Sequence, residues 1–206
     1  MSKDGSKQYD DFIDAYDKIF HVKSVETIKD TYNLITDVLI NKYKMSTYDI
    51  LVSIVKAVRY NYRSFLIYCA ILHDFLIKNP ITDKEANKLT AMASYNFLSF
   101  TKDDDDVYQL EVRYSLDSIY PLDDTVESFI MDDQIDRFKE YVSNNSLDRI
   151  RVLISDDEQL TPIEACAYFG SVNIFTFLTT NLHHKISPRC LQYSLIGGNT
   201  ELLMNA

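Results

Sequence analysis

The run of four aspartates from Asp103 to Asp106 is the densest group of metal-binding side chains in the sequence. Carboxylates bind Ca²⁺, but a calcium loop alternates its ligands and places a glycine and a glutamate at fixed later positions. This spacing is missing here. The aspartates are therefore interpreted as a solvated linker between domains, and no metal is predicted to bind them.

Two adjacent histidines, His183 and His184, are a second candidate metal site. Neighbouring residues on a turn rarely point at one ion, and no cysteine or carboxylate lies at ligand spacing. We expect an exposed turn here, with contact to a protein partner as the alternative. A further histidine, His73, lies among apolar residues and is predicted to be a hydrogen-bonded core residue.

The three cysteines Cys69, Cys166 and Cys190 could act as nucleophiles, but each lies in an apolar helical pattern. No His or acid stands at a spacing that supports a catalytic dyad. The count is odd and no Cys-x-x-Cys pair occurs, so free, buried thiols in the reducing cytoplasm are predicted. The polar first residues predict no signal peptide. The sequence thus predicts no enzyme and no cofactor.

The most distinctive stretch runs from Thr161 to Gly170, with the sequence Thr-Pro-Ile-Glu-Ala-Cys-Ala-Tyr-Phe-Gly. Thr161 is a good N-cap, Pro162 suits the first helical position, and Glu164 completes a capping box. Gly170 can adopt the left-handed conformation that ends a helix. The pattern predicts a short helix, a glycine stop and a return helix over 172–178.

Two further segments repeat this pattern. In 191–203, Gly198 takes the role of Gly170, 28 residues further on. A weaker copy runs from Val126 to Val142, with Asp133 where glycine is expected, and is interpreted as degenerate. Such a unit cannot bury its apolar face alone, so a stack is predicted, and stacks mostly serve binding.

Residues 163–171 and 186–199 resemble the expanded ankyrin-repeat proteins of parasitic flagellated protists. Ile163 and Glu164 replace the Leu and His of the Thr-Pro-Leu-His-x-Ala ankyrin signature. In these proteins a helical domain of unknown function precedes the repeats, and the N-terminal part of this chain is similar to it in length, Tyr content and position. The resemblance implies protein–protein recognition and no catalytic residue.

The predicted fold is all-α, an N-terminal helical bundle followed by a short ankyrin-type solenoid. Residues 1–8 are expected to be disordered, 9–118 to form the bundle, and 119–206 to form about three repeats, the last incomplete. The predicted bundle helices cover 9–20, 24–42, 47 onward, 62–78 and 82–97. Between 99 and 107 we expect a charged break. Residues 109–119 fit a strand or a short helix, and the helix is preferred because no partner strand is visible.

The chain carries a net charge of −10, of which −7 falls in 121–206. This disfavours nucleic acid and anionic lipid as partners. An acidic repeat domain attracts a basic protein, although solubility explains the charge equally well. The longest apolar run, 65–77, is shorter than the roughly 20 residues that span a bilayer, so no membrane insertion is predicted.

The predicted function is a non-enzymatic scaffold or adaptor that binds a protein on its concave face. By resemblance to ankyrin stacks, the binding residues lie at finger tips and on inner helices: Asp157, Glu158, Tyr168, Phe169, Lys185 and Ile196. For Tyr168 and Phe169, packing on the N-terminal domain or on the neighbouring repeat is an equal alternative.

Two other functions stay open. The bundle could be an enzyme or a ligand sensor that the repeats target, which a cavity lined by Tyr and Phe would favour. The chain could instead self-assemble, because it ends within a return helix. Apolar surface is then expected to stay exposed at the C-terminal repeat edge, on Tyr193, Leu195, Leu202, Leu203 and Met204. A longer native chain would cover this edge.

Overall fold

The computed structural model describes residues 9–22, 28–93, 97–113, 121–155, 158–197, 199 and 202. The chain divides into two compact units, Met1–Arg113 (unit 1) and Tyr114–Ala206 (unit 2). The predicted disordered start, 1–8, lies outside the described residues. Within the described part, no helix has the length and apolar character needed to cross a membrane.

Unit 1 begins with five helical segments. They are α1 Asp10–Phe20, α2 Ile28–Leu34 (which continues as a π-helix over Ile35–Lys42), α3 Thr47–Tyr60, α4 Phe65–Lys78 (preceded by the 3₁₀ turn Tyr62–Ser64) and α5 Asp83–Ala93. The predicted capping box of α5 is confirmed, because the N–H of Thr82 donates to Glu85 Oε2 at 2.9 Å. The core of unit 1 is built mainly from α3 and α4, whose side chains at Leu51, Ile54, Phe65, Leu72 and Phe75 are fully buried.

A polar network ties the end of α1 to α4. The hydroxyl of Tyr68 donates to the carbonyl of Ile19 at 2.7 Å. Asn61 Nδ2 donates to the carbonyl of Val22 at 2.9 Å, and Ser64 Oγ donates to the same carbonyl. Ile19 lies in the last turn of α1, whose carbonyls have no partner within the helix, and Val22 lies two residues beyond its end. These side chains therefore satisfy groups that would otherwise be buried without a hydrogen bond.

Unit 1 ends in an antiparallel hairpin of β1 Leu98–Lys102 and β2 Tyr108–Val112. Residues 109–112 thus belong to a strand, and the helix that was preferred for 109–119 is wrong there. Residues 114–119 lie outside the described residues. The partner strand, β1, lies mostly within 99–107, the segment predicted as a charged break. The chain is thus mostly helical rather than all-α, since a second hairpin occurs in unit 2.

Unit 2 contains five described helices and one hairpin. In order they are α6 Val126–Met131, α7 Ile135–Asn144, β3 Val152–Ser155, β4 Glu158–Leu160, α8 Pro162–Phe169, α9 Val172–Thr180 and α10 Pro188–Ile196. Helix α8 packs against both α6 and α10, and α9 packs against α7 and α8. The described helices of unit 2 thus lie in two rows, with α6, α8 and α10 in one and α7 and α9 in the other.

Candidate protein-interaction site

The start and the end of α8 follow the prediction. Thr161 and Glu164 form the capping box, with the N–H of Thr161 donating to Glu164 Oε2 at 3.0 Å. Gly170 ends the helix in the left-handed region, with φ 74°. A Cβ atom at Gly170 would also collide with the side chain of Asn199. Glycine is therefore favoured here both by the backbone conformation and by the close approach of the Asn199 side chain.

Three helices of unit 2 end with the same backbone hydrogen bond. The N–H of Gln134, Ser171 and Asn199 each donates to the carbonyl five residues earlier, at 2.7 to 2.9 Å. This bond closes the helix ends of α6, α8 and α10 in the manner of a Schellman motif. It sets Asp133 equivalent to Gly170, and Asp133 has a φ of 53°. Asp133 is therefore not a degenerate position, because it adopts the same left-handed conformation.

Side chains link one helix end to the next. Ser171 Oγ donates to the carbonyl of Ile130, and Asn199 Nδ2 donates to the carbonyl of Tyr168 at 2.7 Å. Ser171 and Asn199 occupy equivalent positions and both reach back to the helix before. The carbonyl equivalent to that of Ile130 is the one of Ala167, which Asn199 Nδ2 contacts at the longer distance of 3.4 Å. Asp133 adds a third link, because its carboxylate accepts the N–H of Asn173 at 3.1 Å.

Tyr168 and Phe169 are buried, with 3% and 6% of their surface exposed. Of the two alternatives for these side chains, exposure on an inner face is wrong, and the burial agrees with packing against a neighbouring element. Their rings pack against each other with centroids 4.9 Å apart, and the ring of Tyr193 lies 6.4 Å from that of Tyr168. All eight residues of α8 are buried, so this helix offers no side chain to a partner.

Glu158 is the first residue of β4. Its Oε1 accepts the hydroxyl proton of Tyr193 at 2.6 Å. Arg189 donates to the same hydroxyl at 2.5 Å and lies 3.5 Å from the buried Glu164 carboxylate. These four side chains join β4, α8 and α10, and they hold this part of unit 2 together.

This cluster shifts two pKa values. Hydrogen bonding to Tyr193 and the nearby Glu164 carboxylate raise the pKa of Arg189. Burial, followed by the hydrogen bond to Glu158, raises the pKa of Tyr193. Both shifts favour the protonated forms of Arg189 and Tyr193, which are the forms that donate these hydrogen bonds.

The other predicted binding residues differ in their placement. Lys185 is exposed in the segment between α9 and α10, and Ile196, at the end of α10, is 40% exposed. Asp157 lies outside the described residues. Of the predicted set, the structure therefore leaves Lys185 and Ile196 open to a partner and Glu158 partly open. It does not bring Tyr168 and Phe169 to the surface.

The residues considered as metal ligands lie in a hairpin turn or on the surface of a helix. Asp103 closes the turn of the first hairpin by accepting the N–H of Val107 at 2.9 Å, which lowers the pKa of its carboxyl group. His73 is exposed on α4, so its predicted core role is wrong. Across the described ranges, no three His, Cys, Asp or Glu side chains gather as a metal site requires.

Cys166 and Cys190 are buried in α8 and α10, and Cys69 is partly buried in α4. Burial raises the pKa of Cys166 well above its ordinary value and that of Cys69 to about 12. Thiols of this kind are poor nucleophiles because the thiolate is the reactive form. A cavity of about 60 Å³ lies beside Cys190, between α8, α9 and α10. It is far smaller than the roughly 300 Å³ of a small-molecule site.

Sequence reasoning missed three residues that organise unit 2. Asp133 stands at a position where the similar segments have glycine. Aspartate is among the residues that tolerate φ above zero, so the left-handed conformation could have been predicted. Asn199 follows two glycines, so the sequence predicted a turn there. Nothing in the sequence indicated its hydrogen bond to α8. Arg189 carried no signal, since its partners come from β4 and α8.

Compared with known protein families, curated proteins and solved structures, the chain shows no significant match to any of them.

Proposed function

We propose that this chain is a non-enzymatic protein–protein interaction module, in which an N-terminal helical bundle precedes about three ankyrin-type repeats. The observation that carries the proposal is the repeated helix end in unit 2. Gln134, Ser171 and Asn199 close α6, α8 and α10 with the same bond. Repeats of this kind form extended surfaces whose usual use is binding.

The links between repeats support the stack within this proposal. Ser171 bonds to the carbonyl of Ile130 and Asn199 to that of Tyr168, so each helix end is fixed to the helix end before it. The β3–β4 hairpin lies between one helix pair and the next, where ankyrin stacks carry a finger. A rigid stack with projecting fingers is suited to present side chains to a protein partner.

The proposed binding surface follows the fingers and the end of α10, not the buried helix α8. It consists of Asp157, Glu158, Lys185 and Ile196. The partner is proposed to be a basic protein, because 121–206 carries a net charge of −7. Opposite charge on the partner speeds association and fixes its orientation.

The first experiment is affinity capture from the source cell with the full chain as bait, followed by measurement of the dissociation constant for each captured protein. The test variant is Ile196→Ser, which removes an exposed apolar side chain from the proposed surface. The control is Leu66→Ser, a matched change at an exposed site of unit 1. Both variants are checked by circular dichroism.

We expect the test variant to raise the dissociation constant at least fivefold, because it loses an apolar contact. The control should leave the dissociation constant unchanged. Association should also slow as salt is added, because a basic partner is attracted to an acidic domain. A test variant that binds like the wild type would place the interface outside the fingers. Association that is independent of salt would contradict the basic partner.

A further inference from the structure

The corner where α3 leads into α4 carries positive charge on a chain that is otherwise acidic. No Asp or Glu occurs between Asp49 and Asp74, whereas Lys56, Arg59 and Arg63 all fall within this interval. The three cations are exposed, and Lys56 forms no ion pair with another described residue. An anion that approaches this corner therefore meets positive charge first, although the net charge of the chain is −10.

An exposed tyrosine lies among these cations. Tyr60 is the last residue of α3 and is 43% exposed, and its ring lies 6.2 Å from that of Phe20. Lys56 and Tyr60 are four residues apart on α3, so their side chains lie on the same face of the helix. Arg and Tyr are enriched among the residues that contribute most to protein interfaces. Lys56, Arg59, Tyr60 and Arg63 are here called the α3–α4 corner.

The backbone of the α3–α4 corner is held in place by the polar network at the end of α1. Asn61 directly follows Tyr60, and its Nδ2 donates to the carbonyl of Val22 at 2.9 Å. Ser64 directly follows Arg63, and its Oγ donates to the same carbonyl. Between them the chain makes a tight turn, in which the N–H of Ser64 donates to the carbonyl of Asn61 at 3.0 Å. Because this backbone is fixed before a partner arrives, binding loses little conformational entropy there.

We propose that the α3–α4 corner binds an acidic segment of a partner protein. The guanidinium groups of Arg59 and Arg63 are planar and suited to donate paired hydrogen bonds to the carboxylates of Asp and Glu. Lys56 adds a third positive charge, and the Tyr60 ring supplies apolar area beside them.

The net charge of the chain favours a short acidic segment over the other anionic partners. Nucleic acid and anionic membranes present many phosphates at once, and a chain with a net charge of −10 repels them. A short acidic segment brings only a few charges, and these lie beside the cations of the corner. The contact is also separate from the binding of a basic protein by unit 2, because it uses unit 1 and the opposite charge.

Fluorescence anisotropy on the purified full chain tests the proposal. The probe is a fluorescein-labelled peptide, Ser-Glu-Asp-Leu-Glu-Asp-Ser, and the neutral control peptide has Gln and Asn in place of Glu and Asp. The wild-type chain should bind the acidic peptide, more tightly at low salt, and should not bind the neutral one. Since no other protein is present, this proposal and that for unit 2 can fail independently.

Lys56→Glu should raise the dissociation constant of the acidic peptide about tenfold, because it replaces an attraction by a repulsion. Lys84→Glu is the matched control, since Lys84 is exposed on α5 and its substitution changes the net charge equally. It should leave the dissociation constant nearly unchanged. Lys56→Gln provides a second, milder variant with a smaller rise, and circular dichroism verifies the fold of each variant.

Three results would overturn the proposal: no binding of the acidic peptide at low salt, equal binding of the neutral peptide, or equal weakening by Lys56→Glu and Lys84→Glu. Oligothymidylate and phosphatidylserine vesicles are measured in the same way. If either of them binds more tightly than the acidic peptide and loses this binding in Lys56→Glu, the corner recognises phosphate and the acidic protein segment is wrong.

Discussion

Asp133 Oδ1 accepts the backbone N–H of Ile174 at 3.0 Å, although 41 residues separate them in sequence. The other oxygen, Oδ2, accepts the N–H of Asn173 at 3.1 Å. These are N–H groups in the first turn of α9, which no carbonyl within the helix can satisfy. A carboxylate is favourable at this end of a helix because the helix dipole is positive there. Asp133, which follows α6 at the position that Gly170 takes after α8, thus caps α9.

Removing this carboxylate should destabilise unit 2. We expect Asp133→Ala to lower the free energy of unfolding by about 1.5–3 kcal/mol, the range for hydrogen bonds to a charged group. The control is Asp132→Ala, an exposed neighbour, with an expected change within about 0.5 kcal/mol. Urea unfolding followed by circular dichroism measures both. Equal effects of the two variants would show that the Asp133 links contribute little.

Gly170 should resist substitution for two separable reasons. Gly170→Val should cost more than about 1 kcal/mol, because a β-branched residue fits the left-handed conformation poorly. Gly170→Ala should cost more in the wild-type chain than in an Asn199→Ala background, where its new Cβ no longer meets the Asn199 side chain. A double-mutant cycle on thermal unfolding measures the difference. An unchanged melting temperature for Gly170→Val would contradict the left-handed turn.

Tyr68 should make stability depend on alkaline pH. Burial raises its pKa to about 12. Its contribution to stability is complete below the ordinary tyrosine pKa of about 10. It is lost as pH rises towards 12, because the unfolded chain then releases this proton first. Tyr68→Phe should cost about 1–3 kcal/mol at pH 7, since the Ile19 carbonyl loses its donor. The cost should shrink as the pH approaches 11.

Guanidinium unfolding of the wild type and of Tyr68→Phe at several pH values measures this difference. Tyr60→Phe is the control at pH 7, because Tyr60 is exposed and its substitution should change stability by less than about 0.5 kcal/mol. A Tyr68→Phe cost that stays constant from pH 7 to 11 would contradict the raised pKa.

The thiols should be unreactive in the folded protein. At pH 8 almost no thiolate is expected at Cys69, whose pKa is raised to about 12, or at the fully buried Cys166. Reaction with a disulfide reagent such as DTNB should therefore be slow for both, and fast for all three thiols in guanidinium. Mass spectrometry assigns each modified residue. Rapid modification of Cys166 without unfolding would show that α8 opens readily.

Much of the local structure could be predicted from the sequence, because caps and stops depend on residues within one turn. Thr161, Glu164 and Gly170 bracket α8 as expected, and Thr82 with Glu85 starts α5. The ends of α1 at Phe20 and of α4 at Lys78 also match the prediction, whereas α5 ends at Ala93 and not at Phe97 as predicted. Each of these features depends on a hydrogen bond between residues close in sequence or on the backbone preference of one residue, and both can be inferred from the sequence.

The rest depended on contacts between distant segments. Strand β2 could not be distinguished from a short helix until its partner, Leu98–Lys102, was known. The burial of Tyr168 and Phe169 is set by what packs on α8, which no local pattern reports. The link from Asp133 to α9 likewise joins segments about 40 residues apart in sequence. Of the predicted binding residues, Lys185 and Ile196 are therefore exposed, whereas Tyr168 and Phe169 are buried.

The links of unit 2 also bear on its mechanical behaviour. Ser171 holds the end of α8 to α6, and Asn199 holds the end of α10 to α8. A force applied at the C-terminal end would load the Asn199 link first and reach the Ser171 link only after α10 had detached. We therefore expect unit 2 to unravel under tension in successive steps, one helix pair at a time, rather than in a single rupture.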